Sequence, residues 1–164
     1  MLKKLLIVCI ALAPLAAVAQ DVKIAYINTQ EIFTSMPELS SIETQLSTKQ
    51  EEINKNGQAL IEEYNKKLEE FESNPATSEA IQQDQLKQLT QLQERFQVYQ
   101  QNSQQEMNQL QQQLLEPVNK KIHDAIQSVG AENNYTYVFD VASVVYVSPT
   151  AEDITQLVKT KLGI

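Results

Sequence analysis

Two long stripes of apolar residues at heptad spacing, parted by a short proline-containing break, constrain this 164-residue chain more than any other feature. The first runs Leu39, Ile42, Leu46, Ile53, Leu60, Tyr64, Leu68 and Phe71, in steps of three, four or seven. A helix brings such positions onto one side, and a sustained repeat of seven makes that side a seam for a second helix. The second stripe runs Leu86, Leu89, Leu92, Phe96, Tyr99, Met107, Leu110, Leu114, Val118, Ile122, Ala125 and Val129. Between them Ser73-Asn74-Pro75-Ala76-Thr77 breaks the pattern, because proline restricts both itself and the residue before it. Two amphipathic helices so joined fold back on each other as an antiparallel hairpin, on the order of 50 to 75 Å long. The residues left over are too few to wrap such an arm, which therefore projects into solvent.

Local signals bound the arm at 37–129, with its tip near 73–77. Pro37 suits the first helical position, Thr77 or Ser78 caps the second helix, and Gly130 suits a C-terminal stop. Glu62 with Lys66 and Glu63 with Lys67 make i,i+4 pairs off the seam. Nearly half of residues 82–113 are glutamine, a good helix former, interleaved with the apolar stripe. That reads as a solvated helix face. Asn54-Lys55-Asn56-Gly57 interrupts the first helix with poor helix formers. Counted from the tip, Gly57 lies opposite Glu94 to Phe96, either as a hinge or as a small residue giving Phe96 room. Pro117 is a second candidate kink, near the base.

The ends of the chain form a β-containing body, residues 20–36 and 130–164. Val22, Ile24 and Tyr26 alternate as in a short strand, and Asn28 with Glu31 resembles a capping box for a short helix. Tyr135 to Asp140, a turn near Val141-Ala142-Ser143 and Val144 to Val147 predict a β-hairpin. Ser148-Pro149-Thr150 with Asp153 should start a last helix carrying Ile154, Leu157, Val158 and Leu162. Three short strands and two short helices make a very small core. Yet Val138-Phe139 and Val144 to Val147 are apolar on both faces, as in strands covered on both sides. One chain does not supply both covers, so copies are expected to pool their strands in a homo-oligomer.

Lys3 and Lys4, then Leu5 to Ala13, then Ala17-Val18-Ala19 follow the pattern of a cleaved export signal over residues 1–19, with cleavage before Gln20. The apolar stretch is too short to span a bilayer, so no stable membrane insertion is expected. Cys9, the one cysteine, leaves with the signal, and the mature chain has neither disulfide nor thiol chemistry. Lys3 and Lys4 leave too, taking the formal charge from −8 to about −10. Such a surface is a poor match for nucleic acid or for anionic lipid.

The stretch Tyr137-Val138-Phe139-Asp140-Val141-Ala142-Ser143-Val144-Val145-Tyr146, then Ser148 and Asp153-Ile154-Thr155, resembles the C-terminal signature of the Skp/OmpH periplasmic chaperones. Ile24-Ala25-Tyr26-Ile27-Asn28 through Ile32-Phe33 is similar to that family's opening strand. The resemblance implies an α+β fold: a long antiparallel α-helical hairpin on a small β body whose strands are shared in a homotrimer. It also implies a periplasmic holdase that needs no ATP and encloses unfolded outer-membrane proteins between its arms. Carried over by position, Ile24, Tyr26, Val138, Val144 and Tyr146 would lie in or near the shared barrel, and Ile154 in the helix packed on it. The chain departs from the best-known members, which are basic, in its acidic balance.

Catalytic, metal and cofactor sites are not expected. His123, beside Asp124 and with Ser128 on the same helix, has neither converging ligands nor triad geometry. The pairs Glu51-Glu52, Glu62-Glu63 and Glu69-Glu70 fall off the seam without an enclosing loop. A structural coiled-coil spacer or adaptor of an envelope assembly is the alternative to a holdase, with an enzyme accessory subunit a third reading. A spacer confines its apolar residues to the seam, whereas a holdase shows others facing its clients. Ile61, Ile81 and Val98 are the off-seam candidates, with scattered surface residues the plainer account of them.

Overall fold

The computed structural model describes residues 22–73 and 78–164. The expected export signal, residues 1–19, and the core of the break at 74–77 lie outside the described residues. In chain order come strand β1 (Ile24–Ile27), helix α1 (Thr29–Thr34), helix α2 (Glu38–Ser73) and helix α3 (Glu79–Glu132). Strand β2 (Tyr137–Asp140), a 3-10 turn (Val141–Ser143), strand β3 (Glu152–Asp153) and helix α4 (Thr155–Leu162) follow. This is an α+β fold dominated by its two long helices.

Helices α2 and α3 hold 36 and 54 residues, which gives lengths of about 55 and 80 Å. Their register is marked by ion pairs across the arm: Lys121 with Glu38 at 2.6 Å near the base, Lys49 with Glu106 at 3.1 Å, and Arg95 with Glu63 at 3.7 Å further out. Such exposed pairs each add little stability. The apolar seam carries the packing, with Ile42, Leu89, Leu92 and Val118 buried. Two of its positions differ from the sequence reading. Leu86 is exposed and Gln85 sits partly buried in its place, while Ser103 fills the gap between Tyr99 and Met107. Each shift keeps the three- and four-residue steps that an antiparallel pair requires.

At the arm's foot, Val118, Ile122, Ala125 and Val129 of α3 close the body core with Ala25 and Ile27 of β1, Ile32 of α1, Met36, Ile154 and Val158. Burying each large aliphatic side chain there contributes about 1.5–3 kcal/mol. Asn28 caps α1, its Oδ1 accepting from the Glu31 backbone N–H at 3.0 Å. Helix α3 runs through Gly130 and stops at Asn133, so the glycine is not the stop that its type suggests. The chain reverses at Asn134 instead, whose φ of 57° is a conformation that asparagine tolerates well. A Cβ on Gly130 would lie 3.8 Å from Val138 Cγ2, so this turn of α3 passes close under β2.

The sheet has the order β2-β1-β3, and both pairings are parallel. The expected β-hairpin is therefore absent: Val144 to Val147 forms no strand within the chain. The reason is local. Asp140 Oδ1 accepts from the Ala142 backbone N–H at 3.0 Å, which turns the chain away from β2. The far edge of β1 is then taken by Glu152–Asp153. The last helix also starts later than expected, at Thr155, because Ser148 and Thr150 bond each other in a turn of their own. Asp153 Oδ1 accepts from the Thr155 N–H at 2.9 Å and begins the helix there.

Candidate functional site

Two surfaces stand out. The first is the outer face of the sheet. β1 turns Ala25 and Ile27 into the core and Ile24 and Tyr26 outward. The parallel register sets Tyr137 beside Ile24 and Phe139 beside Tyr26. Tyr137 and Phe139 are both exposed, and their rings stack with centroids 6.0 Å apart. Beyond the 3-10 turn, Val145 is 107 % exposed and Tyr146 77 %. One chain thus displays a run of aromatic and branched side chains with no cover among the described residues. Partial desolvation, then the nearby Asp153 carboxylate, raises the Tyr26 phenol above its ordinary pKa, so it stays neutral.

The residues singled out from the sequence divide between the two sides of this layer. Ile24, Tyr26 and Tyr146 lie on or beside the outer face, and Val144 is half-buried at the turn. Val138 packs inward against the body core, and Ile154 is 0 % exposed inside it. Tyr137, Phe139 and Val145, named in the apolar stretches but not among the residues carried over by position, lie exposed beside them. Their alternation was visible, but only the register shows that Tyr137 and Phe139 share a side with Ile24 and Tyr26.

The second surface is the arm. Ile61, Ile81 and Val98 are each about half exposed, joined by Leu86. Cross-arm hydrogen bonds hold the seam beneath them, with Gln93 Nε2 donating to Tyr64 Oη at 3.0 Å and Tyr99 Oη donating to the Ile53 carbonyl at 2.8 Å. Gly57 faces Tyr99, not Glu94 to Phe96: an added Cβ would lie 3.6 Å from Tyr99 Cε1. Helix α2 continues unbroken through Asn54 to Gly57, and α3 through Pro117. At the distal end the seam includes Gln85, whose Oε1 is buried without a hydrogen-bond partner among the described residues.

Among the described residues no three His, Cys, Asp or Glu side chains converge as a metal site. His123 Nε2 lies 2.9 Å from Gln127 Nε2 on the same helix, in an exposed pair. Among those residues, too, no helix is long and apolar enough to cross a membrane.

The model of a protein family described as outer membrane protein (OmpH-like) matches residues 23–162, spanning both ends of the body and the whole arm. The chain belongs to the OmpH-like family. A chaperone protein Skp from Yersinia enterocolitica is 26 % identical over 151 residues, covering 89 % of this chain and 88 % of that protein. A solved structure from Caulobacter crescentus, described as an outer membrane chaperone (OmpH-like), superposes with a TM-score of 0.72. That match covers 85 % of this chain and 82 % of the other, at 17 % identity, and shows the shared fold. Both of these proteins carry the description of chaperone.

Proposed function

We propose that this OmpH-like chain is an exported holdase chaperone that binds unfolded outer-membrane proteins between its helical arms without ATP. It works as a homo-oligomer, most simply a trimer, whose sheets meet through their outer faces. The observation that carries this reading is the uncovered apolar layer at the base, Ile24, Tyr137, Phe139, Val145 and Tyr146, beneath an arm showing further apolar groups. Water contact of that much aromatic and aliphatic surface is unfavourable, and copies of the same chain offer the matching surface. Pooling the bases sets several arms side by side, with Ile61, Ile81 and Val98 available to unfolded chains. The chaperone relatives support the same role. Export to the periplasm follows from the pattern of residues 1–19.

Aggregation of an unfolded outer-membrane β-barrel protein, diluted from denaturant with and without the mature chain, tests the function. Suppression at stoichiometric amounts, without nucleotide, is the expected result. A chain that leaves aggregation unchanged is a spacer or adaptor instead.

A further inference from the structure

Midway along the arm a groove of about 540 Å³ opens between α2 and α3. No charged side chain lines it, although 21 % of the chain is charged. Its polar groups are mainly amides: Gln50 and Gln58 from α2, and Gln100 and Gln104 from α3. Gln50 and Gln104 donate through Nε2 to Asn54 and Asn108, at 3.0 and 3.2 Å. Gln58 and Gln100 make no side-chain hydrogen bond among the described residues. Ser103 also lines the groove; it is 7 % exposed, and its hydroxyl too has no partner among them. On the groove lining, that hydroxyl is free to donate to or accept from an occupant. Apolar contact comes from Ile61, Phe96 and Met107, while Gly57 adds no side chain.

This combination narrows the occupant. An ionic ligand finds no opposite charge in the groove, and its desolvation would go uncompensated. An extended polypeptide offers an N–H and a C=O at every residue, with side chains alternating to opposite sides. Amides both donate and accept, so they serve either backbone group. We infer that this groove is a subsite for an extended, uncharged polypeptide segment, with Gln58, Gln100 and Ser103 bonding its backbone and Ile61, Phe96 and Met107 taking its apolar side chains. The inference rests on the chaperone reading and names the client segment: neutral, alternating apolar with small polar residues. Retention there depends on amide hydrogen bonds and apolar contact, and so is insensitive to salt.

The test uses the mature chain and a labelled neutral peptide of alternating valine and threonine, followed by fluorescence anisotropy. Gln58→Glu with Gln100→Glu places two charges in the groove at exposed positions. Gln105→Glu with Gln112→Glu makes the same charge change at exposed positions outside it. The groove pair should weaken peptide binding about tenfold, as desolvating a carboxylate against a neutral segment is unfavourable. The control pair should leave it unchanged. Equal loss in both pairs, no loss in either, or no binding by the parent chain overturns the subsite. Aggregation suppression by the parent is measured alongside: its absence refutes the chaperone reading, whereas suppression with groove-insensitive peptide binding refutes the subsite alone.

Discussion

Tyr99 Oη donates to the Ile53 carbonyl at 2.8 Å, so a side chain of α3 bonds the backbone of α2 one turn before Gly57. The ring lies across the glycine, with Cε1 3.6 Å from where a Cβ would stand. That separation is ordinary van der Waals contact, and so position 57 has room for a methyl group. Tyr99→Phe keeps the ring and removes the bond, which should lower stability by about 1 kcal/mol in denaturant titration.

Gly57→Ala should act in the opposite sense. Alanine raises helix propensity by about 1 kcal/mol, and the space beside Tyr99 admits it without overpacking. Hydrogen exchange then reads the hinge directly. Amides from Asn54 to Gly57 should exchange faster than those at Leu46 and Leu68 in the parent, and slow in the alanine variant. Uniform protection along α2 in the parent would falsify the hinge.

Oligomerisation should be separable from folding. Tyr146 is 77 % exposed and lies outside the chain's own core, so Tyr146→Asp should leave helix content intact by circular dichroism. At a shared interface the same carboxylate is buried unpaired, which costs several kcal/mol. Sedimentation should show a smaller species for the variant than for the parent at equal concentration. A parent that sediments as a monomer at micromolar concentration removes the shared base.

The arm was legible because its code is local: seam residues at steps of three and four, and a proline break at 73–77, need no knowledge of distant partners. Leu86 and Gln85 mark where this failed. Adjacent positions compete for the seam at the distal end, and hydrophobicity alone chooses the leucine, whereas the helix pairing turns Leu86 outward. The base was harder. Val144 to Val147 has every residue preference of a strand, yet the turn that Asp140 makes with Ala142 carries it away from β2, whose outer edge has no partner strand among the described residues. Sequence composition carries no information on which edge is free. The apolar outer face was foreseen from residues that had too few neighbours to cover them, but splitting Val138 from Tyr137 and Phe139 required the register.

Acid should weaken the joints at the foot of the arm. The hydrogen bond from Lys121, at 2.6 Å, holds the Glu38 carboxyl below its ordinary pKa, and bonds from Lys161 and Ser128 do the same for Glu132. A lowered folded-state pKa means that stability is present above the ordinary carboxylate range and lost as pH falls through the depressed values. Glu38→Gln with Glu132→Gln should therefore lower the melting temperature at neutral pH, converge with the parent in acid, and so flatten the acid limb of the profile. An unchanged acid limb assigns the loss to other carboxylates.

Charge on the arm bears on client capture. Between Glu62 and Glu94 the chain carries eight acidic and three basic residues, so the distal hairpin presents a negative field. Acidic unfolded clients are repelled by it at low ionic strength, and salt shortens the screening length to about 10 Å at 0.1 M. Holding of an acidic unfolded β-barrel should therefore hold steady or improve between low and moderate salt. Aggregation suppression measured across that range provides the check. Basic clients should show the reverse slope, because attraction is screened just as repulsion is. Replacing Glu69, Glu70 and Glu72 by glutamine should reduce both slopes without altering the apolar groups at Ile61 and Ile81, and so separate steering from retention. Steep weakening of acidic-client holding with added salt would place the capture on the chain's few lysines instead.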